Sequence, residues 1–285
     1  MRPLPVLGIV RDAYSFTFAH LGAIIAVIWL PMAVDIILGF FVEQRFFAAA
    51  QLAYAAHSTA NEGGALLLFL LYAIAKMLLY AVMMVAVAQL ALGTRQPSPM
   101  PVRFGRPEWR LFRAWFGLAL FLLVPLLALM LAVGMTMPAD PSALSGAQTS
   151  RLAFGVLVLM AAVLFVLLRF TFLLPGLAAG DAPERGLLAR AWTLSTGHFW
   201  RIFAVIVLCA VPVYFCGAIL EGVAEVATGV SQAPASDFAG TLMRTRETLP
   251  LSKGFQFLMA PFLIGLAASA SVFALRELSR TDIIT

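Results

Sequence analysis

Apolar residues fill six long runs of this chain, and the short segments between them gather Arg, Pro, Gly and Ser. The runs cover 21–42, 65–92, 112–135, 152–178, 202–227 and 255–275. A helix rises about 1.5 Å per residue, so about 20 apolar residues carry it across the hydrocarbon of a bilayer. All six runs reach that length. The pattern predicts an all-α membrane protein with six transmembrane helices, organised as one polytopic domain over residues 1–285.

Two connecting segments carry a helical pattern of their own. Over 182–200, Leu187, Leu188, Ala191, Trp192 and Phe199 fall on one face, with Glu184, Arg185 and Arg190 away from it. This predicts an amphipathic helix lying in the membrane interface, with its Trp residues at headgroup level. Residues 4–19 read the same way, with Leu7, Val10 and Tyr14 at helical spacing. The longest and least apolar connection is 229–250, where a short helix is expected to start after Ser236-Asp237.

Composition sharpens the assignment. The 285 residues are 62% hydrophobic and 12% charged, about half the charged fraction of an ordinary soluble domain. That leaves too little polar surface to cover a water-facing globule, so lipid is the expected solvent for much of the chain. The net charge of +5 comes mostly from Arg. With the N-terminus inside, the inner segments hold Arg2, Arg11, Arg95, Arg103, Arg106, Arg110, Arg113, Arg185, Arg190, Arg201, Arg276 and Arg280. The outer ones hold Arg45, Arg151, Arg244, Arg246 and Lys253. This bias predicts that both termini are cytoplasmic. It also removes the nucleic-acid reading, because the basic residues sit in short loops facing the inner leaflet. The first apolar run is too long for a cleaved leader, so the N-terminus is expected to be retained. Cys209 and Cys216 lie seven apart in one run, roughly 10 Å along a helix and beyond disulfide reach.

The chain also resembles itself. Residues 8–31 align without gaps on 186–209, a shift of 178, with eight identities that include Gly8/Gly186, Ala13/Ala191 and His20/His198. Trp109-Arg110-Leu111-Phe112 matches Trp200-Arg201-Ile202-Phe203 at a shift of 91. Each copy opens with an interfacial segment and continues into a span containing Pro31, Pro125 or Pro212. The six spans therefore read as three related helical hairpins arranged in parallel, all starting on the same side.

The run Arg190-Ala191-Trp192-Thr193-Leu194-Ser195-Thr196-Gly197-His198-Phe199-Trp200-Arg201-Ile202-Phe203 resembles a signature of six-helix bacterial inner-membrane proteins. These are related to the membrane domain of some glycerophosphodiester phosphodiesterases. The ending Phe273-Ala274-Leu275-Arg276 is similar too. The resemblance implies a bacterial inner-membrane location. It does not imply phosphodiesterase activity, which belongs to a separate soluble barrel in that family.

Charges inside a span are costly and by default mark a function or a specific pairing. Asp35, Lys76 and Glu221 stand out, all in the outer half of their spans. Two arrangements are open: a Lys76–Asp35 pair with Glu221 wetted at the interface, or both carboxylates gathered around Lys76. Arg169, near the inner end of span four, is placed to snorkel to lipid headgroups, and Trp192, Trp200 and Arg201 are further candidates for headgroup contact. His20 and His198 occupy matching positions as expected caps of the helices that follow. The small residues Gly265, Ala267, Ala268, Ser269, Ala270 and Ser271 suit close packing inside the fold or a homodimer seam.

No metal-ligand spacing, nucleophile elbow or phosphate-binding Gly-rich loop occurs, so neither enzyme activity nor a cofactor is expected. The expected role is a non-catalytic membrane module, a scaffold or accessory subunit. Its expected contacts are the lipid bilayer and a membrane-protein partner or second copy. The alternative is a transporter of a small solute, ion or lipid through the Asp35, Lys76 and Glu221 region.

Overall fold

A computed structural model of the chain describes residues 4–56, 62–95, 104–136, 146–180, 186–228 and 238–282. Among these the secondary structure is helical throughout, with no strand. The elements are α1 (Val6–Ala19), α2 (Leu21–Ala56), α3 (Glu62–Leu92), α4 (Arg106–Thr136), α5 (Gly146–Thr171), α6 (Leu174–Ala179), α7 (Leu187–Ser195), α8 (Phe199–Thr228) and α9 (Phe238–Asp282). Six segments are long and apolar enough to cross a membrane: Leu21–Leu52, Gly63–Leu92, Arg106–Ala128, Phe154–Ala179, Phe199–Leu220 and Met243–Ser279. Each contains one of the six expected runs or most of it. The two expected amphipathic helices form as α1 and α7; the second is shorter than expected, ending at Ser195 before a turn, so that Phe199 and Trp200 start α8, and 182–185 lies outside the described residues.

Two of the spans also differ from expectation. The fourth span is not one helix, because a turn at Phe172–Leu173 separates α5 from α6. Pro175 explains it: its nitrogen cannot donate to the Thr171 carbonyl, and α5 ends at that residue. The short helix expected after Asp237 does begin, at Phe238, but it continues for 45 residues through Pro250 and Pro261 into the sixth span. Leu249 and Lys253, one on each side of Pro250, are both buried. Tertiary packing thus carries the helix past a residue that removes one backbone bond.

α9 is the axis of the bundle. The apolar window of α9 is 61% buried, against 17% to 33% in the other five spans. It packs against α1, α2, α3, α6 and α8. Its small residues make this possible: Ala268, Ser269, Ala270 and Ser271 are all buried inside the fold. At Gly265 a Cβ would come within 2.8 Å of the Thr17 side chain, so only glycine admits α1 this closely. α2 packs along α3 and α8 along α9, whereas α4 lies on α3 and α6 and meets α5 only sparsely. Phe16 of α1 stands edge-on to Phe273 of α9 at 6.1 Å. The first and last described helices therefore meet at one end of the bundle, called proximal below; the other end is distal.

At a shift of 178, helix starts and several buried positions coincide. α2 starts at Leu21 and α8 at Phe199, which are 178 apart. The pairs Ile9/Leu187, Ala13/Ala191, Thr17/Ser195, Ile24/Ile202 and Val27/Val205 are buried at both members.

Helix ends and breaks in the proximal half are satisfied across helices rather than within them. Gly93, with φ +76, closes α3 in a Schellman turn: Thr94 N–H donates to Gln89 O and Gly93 N–H to Leu90 O, both at 3.0 Å. That motif leaves the Ala91 carbonyl over, and Arg276 Nη2 of α9 donates to it at 3.3 Å. Short α6 is held at both ends: the Gly176 N–H donates to Ser271 Oγ at 3.0 Å, and Arg110 Nη2 donates to Ala178 O at 3.3 Å. In a medium without water, such partners are what allow interrupted helices to persist.

Candidate functional site

The distal half of the bundle holds a polar seam among α2, α3 and α9. Asp35 of α2 is buried, and its Oδ1 accepts a hydrogen bond from the Tyr72 hydroxyl of α3 at 3.0 Å. One turn further along α3, the Lys76 ammonium sits between two rings, 5.6 Å from the centroid of Tyr72 and 5.9 Å from that of Tyr80. Across the seam, Lys253 of α9 makes an ion pair with Glu43 of α2 at 2.6 Å and donates to Gln256 Oε1 at 3.4 Å. Gln256 Nε2 in turn donates to the Tyr80 hydroxyl at 3.5 Å. The result is a chain of polar contacts, Glu43–Lys253–Gln256–Tyr80, that crosses three helices.

Glycine makes room for it. A Cβ on Gly39 would run into the Tyr72 hydroxyl and come within 3.1 Å of Lys253 Nζ. The absence of a side chain at this one position lets α3 and α9 deliver their polar groups to the same face of α2.

The seam corrects the sequence-based expectation in detail. Asp35 and Lys76 are brought to one region, but they form no ion pair, because the Tyr72 hydroxyl takes the carboxylate and its ring lies beside the ammonium. Lys253 belongs inside α9 and pairs with Glu43, not in an outer segment. Glu221 lies on α8, and its side chain is outside the described residues. Tyr72, Glu43 and Gln256 were not anticipated. Polar residues spaced seven or eight apart, as Asp35 and Glu43 are on α2, were the available signal.

Beside the seam is a cavity of about 660 Å³, bounded by α3, α4, α5, α8 and α9. Its walls are largely apolar, with Ile206, Val213, Met259 and Leu263 among them. Along α9 the lining runs from Ser252 to Ala270, a rise of roughly 27 Å at 1.5 Å per residue. That approaches the roughly 30 Å thickness of bilayer hydrocarbon. Tyr80, Ser252 and Gln256 line the distal part, so the polar seam ends in the cavity wall. At the proximal part stands Trp115, whose buried Nε1 has no hydrogen-bond partner among the described residues. The volume falls within the usual range of small-molecule sites.

A second polar cluster lies at the proximal end. Arg169 is buried, with its guanidinium 3.3 Å from the centroid of the Trp192 ring. Its Nε donates to Ser195 Oγ at 3.0 Å and its Nη2 to Thr196 Oγ1 at 2.6 Å. Nη2 also donates to the Trp192 carbonyl at 3.4 Å. The cation thus sits at the C-terminus of α7, where the helix dipole favours it. Arg169, expected to snorkel to headgroups, directs its donors to the end of α7, which offers several acceptors. Trp192 and Trp200 are exposed, and Arg201 is half-buried.

The two matched histidines share one backbone role and differ in their rings. His20 opens α2 through its carbonyl, which accepts from Ile24 N–H at 2.9 Å, and its Nδ1 hydrogen-bonds to Phe16 O at 3.0 Å at the end of α1. His198 opens α8 through its backbone carbonyl, and its Nδ1 is buried without a hydrogen-bond partner among the described residues. Cys209 is buried and Cys216 exposed, both as free thiols. No group of three or more His, Cys, Asp or Glu placed to hold a metal occurs among the described residues.

Compared with family models, with curated proteins and with solved structures, the chain matches none.

Proposed function

We propose that this chain is a non-catalytic protein of the bacterial inner membrane, with both termini cytoplasmic, that holds an acyl-chain amphiphile within the bilayer. The cavity beside α9 carries the reading: it is long, apolar along its length and polar at its distal end. An acyl chain laid parallel to α9 matches that shape. The arginine bias and the resemblance of residues 190–203 support the location and orientation.

The test is native mass spectrometry from lipid nanodiscs, with Ala210→Phe as the variant that fills the cavity wall. A lipid-mass adduct kept by the wild type and lost in Ala210→Phe is the expected result. Equal lipid retention by both proteins sinks the reading.

Movement of the amphiphile between leaflets is the second reading, favoured by four ionisable side chains at the distal end, Asp35, Glu43, Lys76 and Lys253. It predicts that Asp35→Asn slows exchange of a fluorescent lipid across proteoliposomes. An unchanged rate leaves holding, without transport, as the function.

A further inference from the structure

We infer that the amphiphile is anionic and that Lys76 recognises its phosphate or carboxylate headgroup; this rests on the reading of the cavity as an acyl-chain site. Four ionisable groups meet in the distal seam, and their partners divide unequally. Glu43 and Lys253 hold each other at 2.6 Å. Asp35 accepts from the Tyr72 hydroxyl. Lys76 alone among them makes no hydrogen bond or ion pair with any described residue, and its contacts are the faces of Tyr72 and Tyr80. It is half-buried, so the ammonium is not sealed away from a ligand.

An ammonium has three donors and no acceptor. Within a span, an ammonium with all three unfilled is costly, and ring faces compensate only in part. Asp35 lies within electrostatic reach, but its carboxylate is turned to Tyr72. What completes Lys76 is therefore an anion bearing several acceptor oxygens. The place for it is defined by Tyr80, which touches the ammonium with its ring and lines the cavity. Gln256, hydrogen-bonded to the Tyr80 hydroxyl and also in the cavity wall, adds a neutral polar contact at the same level. A headgroup here leaves its chain pointing down the apolar length of α9. A cationic headgroup would meet the Lys76 ammonium head-on, and a zwitterionic one would bring its own cation against it.

The experiment uses the whole chain in nanodiscs made from equal phosphatidylglycerol and phosphatidylcholine, with a parallel sample offered oleate in detergent. Wild type, Lys76→Met, Lys76→Arg and Ala210→Phe are compared by native mass spectrometry. Monodisperse elution and an unchanged melting temperature establish folding. Wild type should enrich the anionic species about tenfold, the scale set by a charge-assisted hydrogen bond. Enrichment of phosphatidylglycerol identifies a lipid phosphate and enrichment of oleate a free carboxylate. Lys76→Met should keep an adduct but lose the preference, and Lys76→Arg should restore it. An adduct that vanishes in Ala210→Phe yet keeps its anionic preference in Lys76→Met overturns this inference and leaves the cavity reading standing. Wild type that retains no adduct overturns both.

Discussion

The Tyr14 hydroxyl of α1 donates to the carbonyl oxygen of Leu208 at 3.2 Å, the acceptor that Pro212 leaves without a backbone donor one turn further along α8. α1 thus repairs a gap that a proline opens inside α8. Tyr14→Phe should destabilise the protein by about 1 kcal/mol. In a Pro212→Ala background α8 recovers its own donor, and the same substitution should become nearly silent. Thermal melting of the four proteins in one lipid gives the coupling directly; equal effects in both backgrounds refute the link.

Arg169 and Trp192 tie α7 to the end of α5. Lysine keeps the charge but lacks the planar fork and the stacking face. Arg169→Lys should therefore cost about 1–3 kcal/mol and speed amide exchange within α7 while leaving α2 and α3 unchanged. Exchange rates in α7 that match the wild type would show that the contact is incidental.

At Gly39 an added methyl meets the Tyr72 hydroxyl and Lys253. Gly39→Ala is expected to destabilise by about 1–3 kcal/mol through overpacking. Gly22, on the same helix, has no atom near an added Cβ, so Gly22→Ala should be neutral or slightly stabilising. Melting temperatures that shift alike in the two variants would contradict the crowded seam.

Removing one member of the Glu43–Lys253 pair strands the other in a low-dielectric setting. Glu43→Leu should destabilise strongly, although by less than the about 3–5 kcal/mol of a fully buried pair, because Glu43 is partly exposed. Adding Lys253→Met should recover most of the loss. A double variant no better than the single one would mean that the pair does not act as a unit.

Burial, with Arg201 close by, holds the His198 imidazole below its ordinary pKa. The folded chain then keeps fewer protons here than the unfolded chain does, so stability falls as pH drops below about 6.5. Melting at pH 7 and pH 5 should differ less in His198→Asn than in wild type. An identical difference in both proteins would assign the pH dependence to other groups.

The six spans were legible because run length alone separates a bilayer-crossing helix from a core helix. The break at Thr171 was missed although Pro175 was in plain view, since hydropathy averages over a proline and hydrogen bonding does not. The continuity of α9 was missed for the opposite reason: 229–250 is polar enough to read as a loop, yet from residue 238 it is helical. In the site, Asp35 and Lys76 were visible as charges in apolar surroundings. Tyr72 and Gln256 were not, because a neutral polar residue in a span carries no such contrast. Lys253 and Glu43 sit near span ends, where sequence places a charge in water; only the packing of α2 against α9 puts them together. Arg169 was read from its depth, and its direction was set by α7, whose C-terminus offered acceptors that hydropathy cannot register.

The central position of α9 bears on how the protein is made. Of the six spans it leaves the ribosome last, yet α1, α2, α3, α6 and α8 all pack on it. Until it is inserted, the other five lack the partner they share, and α2 with α3 is the most extensive face formed without it. Assembly therefore waits for α9 to be inserted. Truncations or ribosome stalls before α9 should yield inserted but unassembled helices, open to intramembrane proteolysis, in place of a smaller version of the same bundle.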